Sequence, residues 1–585
     1  MNRFTLLSGA LLFLAPAALA QQARDQVRID DPAAANTPDG FDIFVDGEGD
    51  LRVAMWVDER DTTNTFDDDI WIAISQDNGL TWGQEIQVTN GAFSAIDIDD
   101  AYLEVAGGTI YVSYDDDALG STTPQAVVTY SSDLGATWST VVLDVDGQNP
   151  RVAAQGNDVV VVWYNDLSTP NPLKAVTSTT GAAGLAAATA VQINGVGDID
   201  ADGYDLVVDN GMAHVAYVDD SVVALEDDIY LTSYDFAAGT WSAPLQLNDT
   251  VTTPGGDVDI YVRMDVDGGK VHVAWNEDDL DPAFTTDDVV FYRNYDIATG
   301  TLSAEVQLSQ APPVDTDYMW MDADGSTVAV TWTDDQTGVD QLTRVRVSND
   351  GGATFGPEIA IPSFGGGGPE NGQQMRVFVD GSMIFVVYED DSLNAGSADE
   401  VPAFAYSSDF GASFEGPFLL GSNFEADEDI DTEGTAWYYS NQSLTGFWQT
   451  DGGAANPDGA WAAGIRFPFI GFEQNLLNGT FTLSLAGVDR TLGSGVARWT
   501  ASDVLGTLPH PENPALTLDL GASQVYNFVS TRLNALTGRF TANGTAVKTL
   551  PTPANAIGRS LFLQGWVNSN GVGGRASDVL SVTIQ

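Results

Sequence analysis

The chain has 585 residues, no cysteine and a formal charge of −63, from 84 acidic against 21 basic residues. That excess argues against nucleic acid as a partner, and the missing cysteines remove disulfides, thiol catalysis and cysteine-bound metals. The length is ample for a large core held by burial alone and suggests more than one domain.

The first twenty residues read as a secretory signal. Asn2-Arg3 gives a charged start, Leu6 to Leu14 an apolar centre, and Ala18-Leu19-Ala20 a cleavage site. Residues 1–20 are therefore set apart from the fold, and the mature protein is expected to be exported: bacterial, and extracellular, periplasmic or cell-surface. No other stretch is long and apolar enough to span a membrane as a helix.

Next comes a short strand-like run, Gln26-Val27-Arg28-Ile29, and then a repeat. Apolar runs ending in an aromatic residue recur: Val53-Ala54-Met55-Trp56, Tyr111-Val112-Ser113-Tyr114, Val160-Val161-Val162-Trp163, His214-Val215-Ala216-Tyr217, His272-Val273-Ala274-Trp275, 328–332 and Phe385-Val386-Val387-Tyr388. Their terminal aromatics stand 49 to 58 residues apart. Each unit reads as four strands, A to D, with the aromatic on strand B. This spacing matches the blades of a β-propeller. Seven blades are plain. An eighth is expected from Thr435-Ala436-Trp437-Tyr438-Tyr439 as strand B and Gly446-Phe447-Trp448 as strand C, completed by the N-terminal run as strand D. Such a strand would close the ring and remove an exposed sheet edge. Eight blades over 21–450 are the expectation, with seven as the alternative.

After 451 the character changes. Residues 451–585 hold eight acids and eight bases, so all the excess charge lies before them. Phe481-Thr482-Leu483-Ser484-Leu485, Leu561 to Trp566 and Val579 to Ile584 alternate as strands do, and a C-terminal β-sandwich is expected over 451–585. The whole chain is all-β.

Between strands C and D, four units carry the pattern S-x-D-x-G-x-[ST]-[WF]. It appears at Ser75-Gln76-Asp77-Asn78-Gly79-Leu80-Thr81-Trp82, at Ser131, Asp133, Gly135 and Trp138, at Ser348, Asp350, Gly352 and Phe355, and at Ser407, Asp409, Gly411 and Phe414. Ser and Asp side chains bond turn amides, Gly accepts positive φ, and the aromatic packs beneath. This is similar to the Asp-box of the sialidase (neuraminidase) superfamily, and the resemblance implies a β-propeller. Units 4 and 5 carry a looser turn at Tyr234-Asp235 and Tyr295-Asp296.

In a propeller strand A lines the central channel. Counting twelve residues back from each strand-B aromatic gives Phe44, Tyr102, Arg151, Asp205, Arg263, Trp320 and Arg376. Three arginines at one register would suit a carboxylate-bearing sugar, since the guanidinium fork matches a carboxylate. Pairing of each arginine with nearby aspartates is the competing reading. Arg151, Arg263, Arg376, Tyr102 and Trp320 are the candidate ligand-binding residues. On the connections from strand D to strand A lie D-x-D pairs, Asp97/Asp99, Asp200/Asp202 and Asp315/Asp317. Such hard oxygen ligands would suit Ca²⁺, although solvated or turn-capping carboxylates give the same pattern.

The sialidase resemblance also implies an arginine triad, an acid/base aspartate and a tyrosine nucleophile with its glutamate. Trp56-Val57-Asp58-Glu59-Arg60-Asp61 resembles the segment that carries the family's catalytic aspartate, which makes Asp61 the acid/base candidate. No Tyr/Glu pair stands out. The expectation is therefore a secreted acidic propeller that binds a glycan or extracellular protein at its channel face without catalysis. The alternative is a sialidase-type glycoside hydrolase acting on an acidic sugar.

Overall fold

A computed structural model describes the chain from Gln26 to Thr583 apart from 31–42, 59–68, 90–97, 117–123, 166–170, 196–198, 224–225, 249–257, 278–288, 310–315, 335–341, 365–374, 391–399, 421–428, 441, 452–458, 468, 476–479, 487–495, 503–504, 510–516, 521–524, 533–545, 552–559 and 570–571. The signal segment lies outside the described residues. Side chains are described as far as Phe467. The chain divides into two compact units. One runs from Ala23 to Arg466, and the other comprises Phe467–Val488 and Leu492–Gln585.

The first unit is a β-propeller in which eight antiparallel sheets are found among the described residues. Blade 1 is built from Phe44–Glu48, Leu51–Asp58, Asp69–Ser75 and Ile86–Gln87, in that order from the axis outward. The inner strands of the next six blades are Ile98–Ala106, Gln148–Gln155, Ile199–Asp209, Val258–Asp267, Thr316–Asp324 and Arg376–Asp380. Blade 8 has Asp429–Ser440 innermost, then Ser443–Asp451 and Gly459–Arg466, and its outer strand is Val27–Arg28 from the other end of the chain.

The expected N-terminal closure is therefore present. Val27 pairs with Ala462 and Arg28 with Trp461, and the amide of Ile29 donates to the carbonyl of Ala460 at 2.9 Å. Two strand assignments in blade 8 differ from expectation. Residues 435–439, expected as strand B, belong to the inner strand, and 446–448, expected as strand C, belong to strand B. The third strand of the blade lies beyond 450, so the blade runs on to Arg466. The aromatic run Trp437-Tyr438-Tyr439 imitates a strand B, but its tyrosines work as staples. The hydroxyl of Tyr438 donates to the carbonyl of Gly47, and that of Tyr439 to Asp380 at 2.8 Å.

Both faces of each blade carry buried apolar residues, so the core lies between neighbours. Ile70, Ile72 and Val53 of blade 1 pack with Leu103, Ile110 and Val112 of blade 2, and equivalent clusters recur around the ring. The strand-B tryptophans Trp56, Trp163, Trp275, Trp332 and Trp448 are fully buried. Burying each stabilises by roughly 3 kcal/mol.

The four S-x-D-x-G turns share one geometry. In the first, Ser75 Oγ donates to Asp77 at 2.8 Å and accepts the Gly79 amide at 2.9 Å, while Asp77 accepts the amide and hydroxyl of Thr81 at 2.8 and 2.7 Å. The same bonds recur from Ser131, Ser348 and Ser407. Blades 4 and 5 use a shorter device: Asp235 accepts the amides of Ala237 and Ala238, and Asp296 that of Thr299.

The second unit is all-β in its described residues. Phe469–Asn475, Thr480–Ala486 and Ala546–Pro551 form one sheet. Val496–Ser502, Val525–Arg532, Ser560–Ser569 and Val572–Thr583 form another, and Leu505–Pro509 pairs with Thr517–Leu520.

Candidate functional site

The register found twelve residues before each aromatic is a physical level of the channel. Phe44, Tyr102, Arg151, Asp205, Arg263, Trp320 and Arg376 each pair with the residue just before the strand-B aromatic: Met55, Ser113, Val162, Ala216, Ala274, Thr331 and Val387. The eighth member is Ala436, opposite Phe447. Just upstream of this level the inner strands bulge, between Asp99 and Tyr102, Gln148 and Arg151, Ile199 and Tyr204, Val258 and Val262, and Asp317 and Met319. Asp100, Asn149 and Tyr318, each two residues before the level, hold positive φ of 52°, 48° and 39°. A tyrosine in that region is strained, and such bulges re-aim side chains at sites of function.

At this level the side chains form two groups. In the first, Phe44 and Tyr102 lie with ring centres 5.2 Å apart, and the Arg151 guanidinium sits 4.6 Å from both Tyr102 and Tyr204. Arg151 also donates to the carbonyl of Tyr204 and, at 3.3 Å, to Asn149. Burial works against its charge, but Tyr102, Tyr204, Asp205 and Asp100 outweigh burial and raise its pKa. Arg151 is thus tied into the wall. In the second group, Arg263 and Arg376 lie over the Trp320 indole at 4.8 and 4.1 Å. Burial and the neighbouring Arg263 lower the Arg376 pKa to about 10, against the pull of Asp205 and Asp46. Guanidinium groups held in place on one ring can donate hydrogen bonds to anionic oxygens, those of a carboxylate or sulfate.

Two residues further along the strands lies an acidic level that register counting missed. Asp46, Glu104, Asp265 and Asp322 each accept a main-chain amide from the next blade: Val105 at 2.6 Å, Ala154 at 3.2 Å, Ala323 at 2.9 Å and Val379 at 2.6 Å. Asp205 likewise accepts the Met264 amide at 2.8 Å. These carboxylates staple inner strands that carry no sheet bonds to one another. Burial raises all four of the deeper pKa values, Asp46 to about 6. Glu104 is raised further by Asp46, and Asp322 by Asp265, with which it shares a hydrogen bond. The sequence signal was available: an acid two residues after the register position in blades 1, 2, 5 and 6.

The structure thus brings Arg263, Trp320 and Arg376 together, and Tyr102 with Arg151, but does not bring the three arginines to one point. Asp61, Asp97 and Asp315 lie outside the described residues. Asp99, Asp200, Asp202 and Asp317 lie on described backbone, with side chains outside it.

Eight blades, a closing N-terminal strand and four S-x-D-x-G turns are on hand. In fold, the first unit is an eight-bladed β-propeller among the described residues. No family model matches the chain, and no curated protein matches it in sequence. Among solved structures it is similar to the polysaccharide lyase Uly1, at 10% identity and a TM-score of 0.42 over 67% of this chain and 92% of that one. It is also similar to the α-L-arabinofuranosidase Arb93A of Fusarium graminearum, at 13% identity and 0.38 over 76% and 98%. A third is the Trypanosoma rangeli sialidase, at 10% identity and 0.33 over 85% of each chain.

Proposed function

We propose that the propeller is an exported glycan-binding protein that takes an acidic glycan at the mouth of its channel, without catalysis. The observation that carries this reading is that the Arg263–Trp320–Arg376 group and the Phe44–Tyr102 pair share one register level of the inner strands. Guanidinium groups match anionic oxygens, and half-buried aromatic rings match the apolar face of a sugar. A Ca²⁺ ion on the D-x-D connections, held by Asp97, Asp99, Asp200, Asp202, Asp315 and Asp317, belongs to the same proposal. It is dropped if EDTA leaves the melting temperature unchanged.

A panel of neutral and acidic oligosaccharides tests the reading. Acidic members should bind, and Arg376→Gln should weaken them at least tenfold, about 1.4 kcal/mol. Equal binding by the variant would remove the mouth from the account. A second reading, a hydrolase, is favoured by the hydrogen-bonded carboxyl pair Asp265–Asp322, since two coupled carboxyls can divide acid and base roles. Their bonds to main-chain amides of the next blades favour the structural role. Turnover of a fluorogenic sialoside, lost in Asp61→Ala, would establish the hydrolase instead.

A further inference from the structure

Trp320 is a partly exposed aromatic ring on an inner strand of the propeller, and its first reading is a stacking platform for a sugar. Its surroundings say otherwise. Arg263 comes from blade 5 and Arg376 from blade 7, on either side of the blade that carries Trp320. Both guanidinium carbons lie over the indole, at 4.8 and 4.1 Å from its centre. With a guanidinium from each flanking blade held against it, the partly exposed ring is already engaged by two cations. Its negative faces instead hold each guanidinium in place, which restricts two long side chains that would otherwise move. Arg263 is further fixed by a bond from Nη1 to the carbonyl of Val262 at 2.9 Å.

This arrangement separates the two charges as well as gathering them. A single carboxylate or sulfate offers oxygens about 2–2.5 Å apart and fills one guanidinium fork. Arg263 and Arg376 come from blades 5 and 7, with the indole of the intervening blade 6 against both, which favours one anionic group per fork. We propose that Trp320 is a positioning residue that spaces Arg263 and Arg376 as two separate receptors, so that the glycan bound at the mouth carries two anionic groups, uronate or sulfate ester, on neighbouring units. This rests on the glycan-binding reading and deepens it by naming the charge pattern of the ligand. Burial first and repulsion from Arg263 second depress the Arg376 pKa, and an anion on Arg376 would offset both.

The test uses the full chain and four trisaccharides of one backbone: neutral, with one uronate, with two uronates and with two sulfate esters. Equilibrium binding is measured for wild type, Arg263→Gln, Arg376→Gln, Trp320→Phe and Trp320→Leu, with thermal unfolding to confirm that each variant folds. The dianionic ligands should bind wild type at least tenfold more tightly than the monoanionic one. Either arginine variant should bring that ratio close to one. Trp320→Leu should do the same with both arginines present, while Trp320→Phe, which keeps a π face, should retain most of the ratio. The two dianionic ligands compared with each other identify the preferred anion. Equal affinity for one and two anions, or a ratio untouched by Trp320→Leu, overturns the spacer. If no trisaccharide binds, the glycan-binding reading falls with it. If the three acidic ligands bind alike and the neutral one does not, that reading stands and the spacer alone is lost; if the neutral one binds as well as they do, the acidic-glycan reading is lost too.

Discussion

Leu134 shows how closely the turn geometry overrides local preference. It is exposed and sits at φ 56°, in the position that precedes the turn glycine. The equivalent residues are Asn78 at 62°, Gly351 at 69° and Phe410 at 60°. Left-handed backbone costs a β- or γ-branched side chain roughly 1 kcal/mol and costs asparagine less. Leu134→Asn should therefore stabilise by about 0.5–1 kcal/mol, read as a higher urea midpoint. Asp46 is a second residue with a measurable signature. Its pKa rises in the fold from 3.8 to about 6, because burial outweighs its amide bonds and the attraction of Arg52 and Arg376. A raised folded pKa gives stability that is full below about pH 4 and is lost as pH rises through about 6. Asp46→Asn keeps an oxygen for the Val105 amide and removes the charge. Urea unfolding across that window should show a flatter pH slope and a gain of about 1–2 kcal/mol at neutral pH.

At the scale of the blade, the turn glycines are demanded twice, once by φ and once by the neighbouring blade. A Cβ on Gly352, at φ 79°, would collide with the Tyr292 hydroxyl of blade 5, and one on Gly411, at φ 77°, with Val347 of blade 6. The inner hairpin glycine Gly325, at φ 64°, has open space around it. Gly325→Ala should thus cost about 1 kcal/mol and Gly352→Ala ~3 kcal/mol, compared by thermal melts. Blades were legible in the sequence because their signals are local: an aromatic at the end of strand B, and a Ser and Asp two residues apart at the turn. The register of the channel followed by counting from those aromatics. Contacts between blades were not legible, since Asp46 reaches Val105 and Asp322 reaches Val379, each a whole repeat away. Blade 8 misled for a related reason, because its inner strand carries tyrosines that reach blades 1 and 7.

For the whole propeller, the completion of blade 8 by the N-terminal strand determines whether the ring holds. Arg28 donates from Nε and Nη2 to the two carboxylate oxygens of Asp30, both at 2.7 Å, and Asp30 also accepts the Ala460 amide at 3.3 Å. Nearby, the fully buried Arg52 donates to the carbonyl of Ser440 at 3.1 Å and to Asn78 at 2.9 Å, and lies 4.7 Å over the Tyr438 ring. Asp30→Ala should destabilise by about 2 kcal/mol. It should also expose the edge of Gly459–Arg466 and raise the tendency to aggregate, followed by light scattering during unfolding. A closed ring matters because the proposed binding level is assembled from the inner strands of all eight blades. The central claim is that this level of the channel is where a glycan binds. The most direct measurement is a crystal structure of the protein soaked with the tightest acidic oligosaccharide of the panel. The account predicts a glycan seated at the channel mouth, with anionic oxygens on Arg263 and Arg376 and a sugar face against Phe44 and Tyr102. A glycan bound to the second unit or to an outer blade edge, with the channel level untouched, would contradict it.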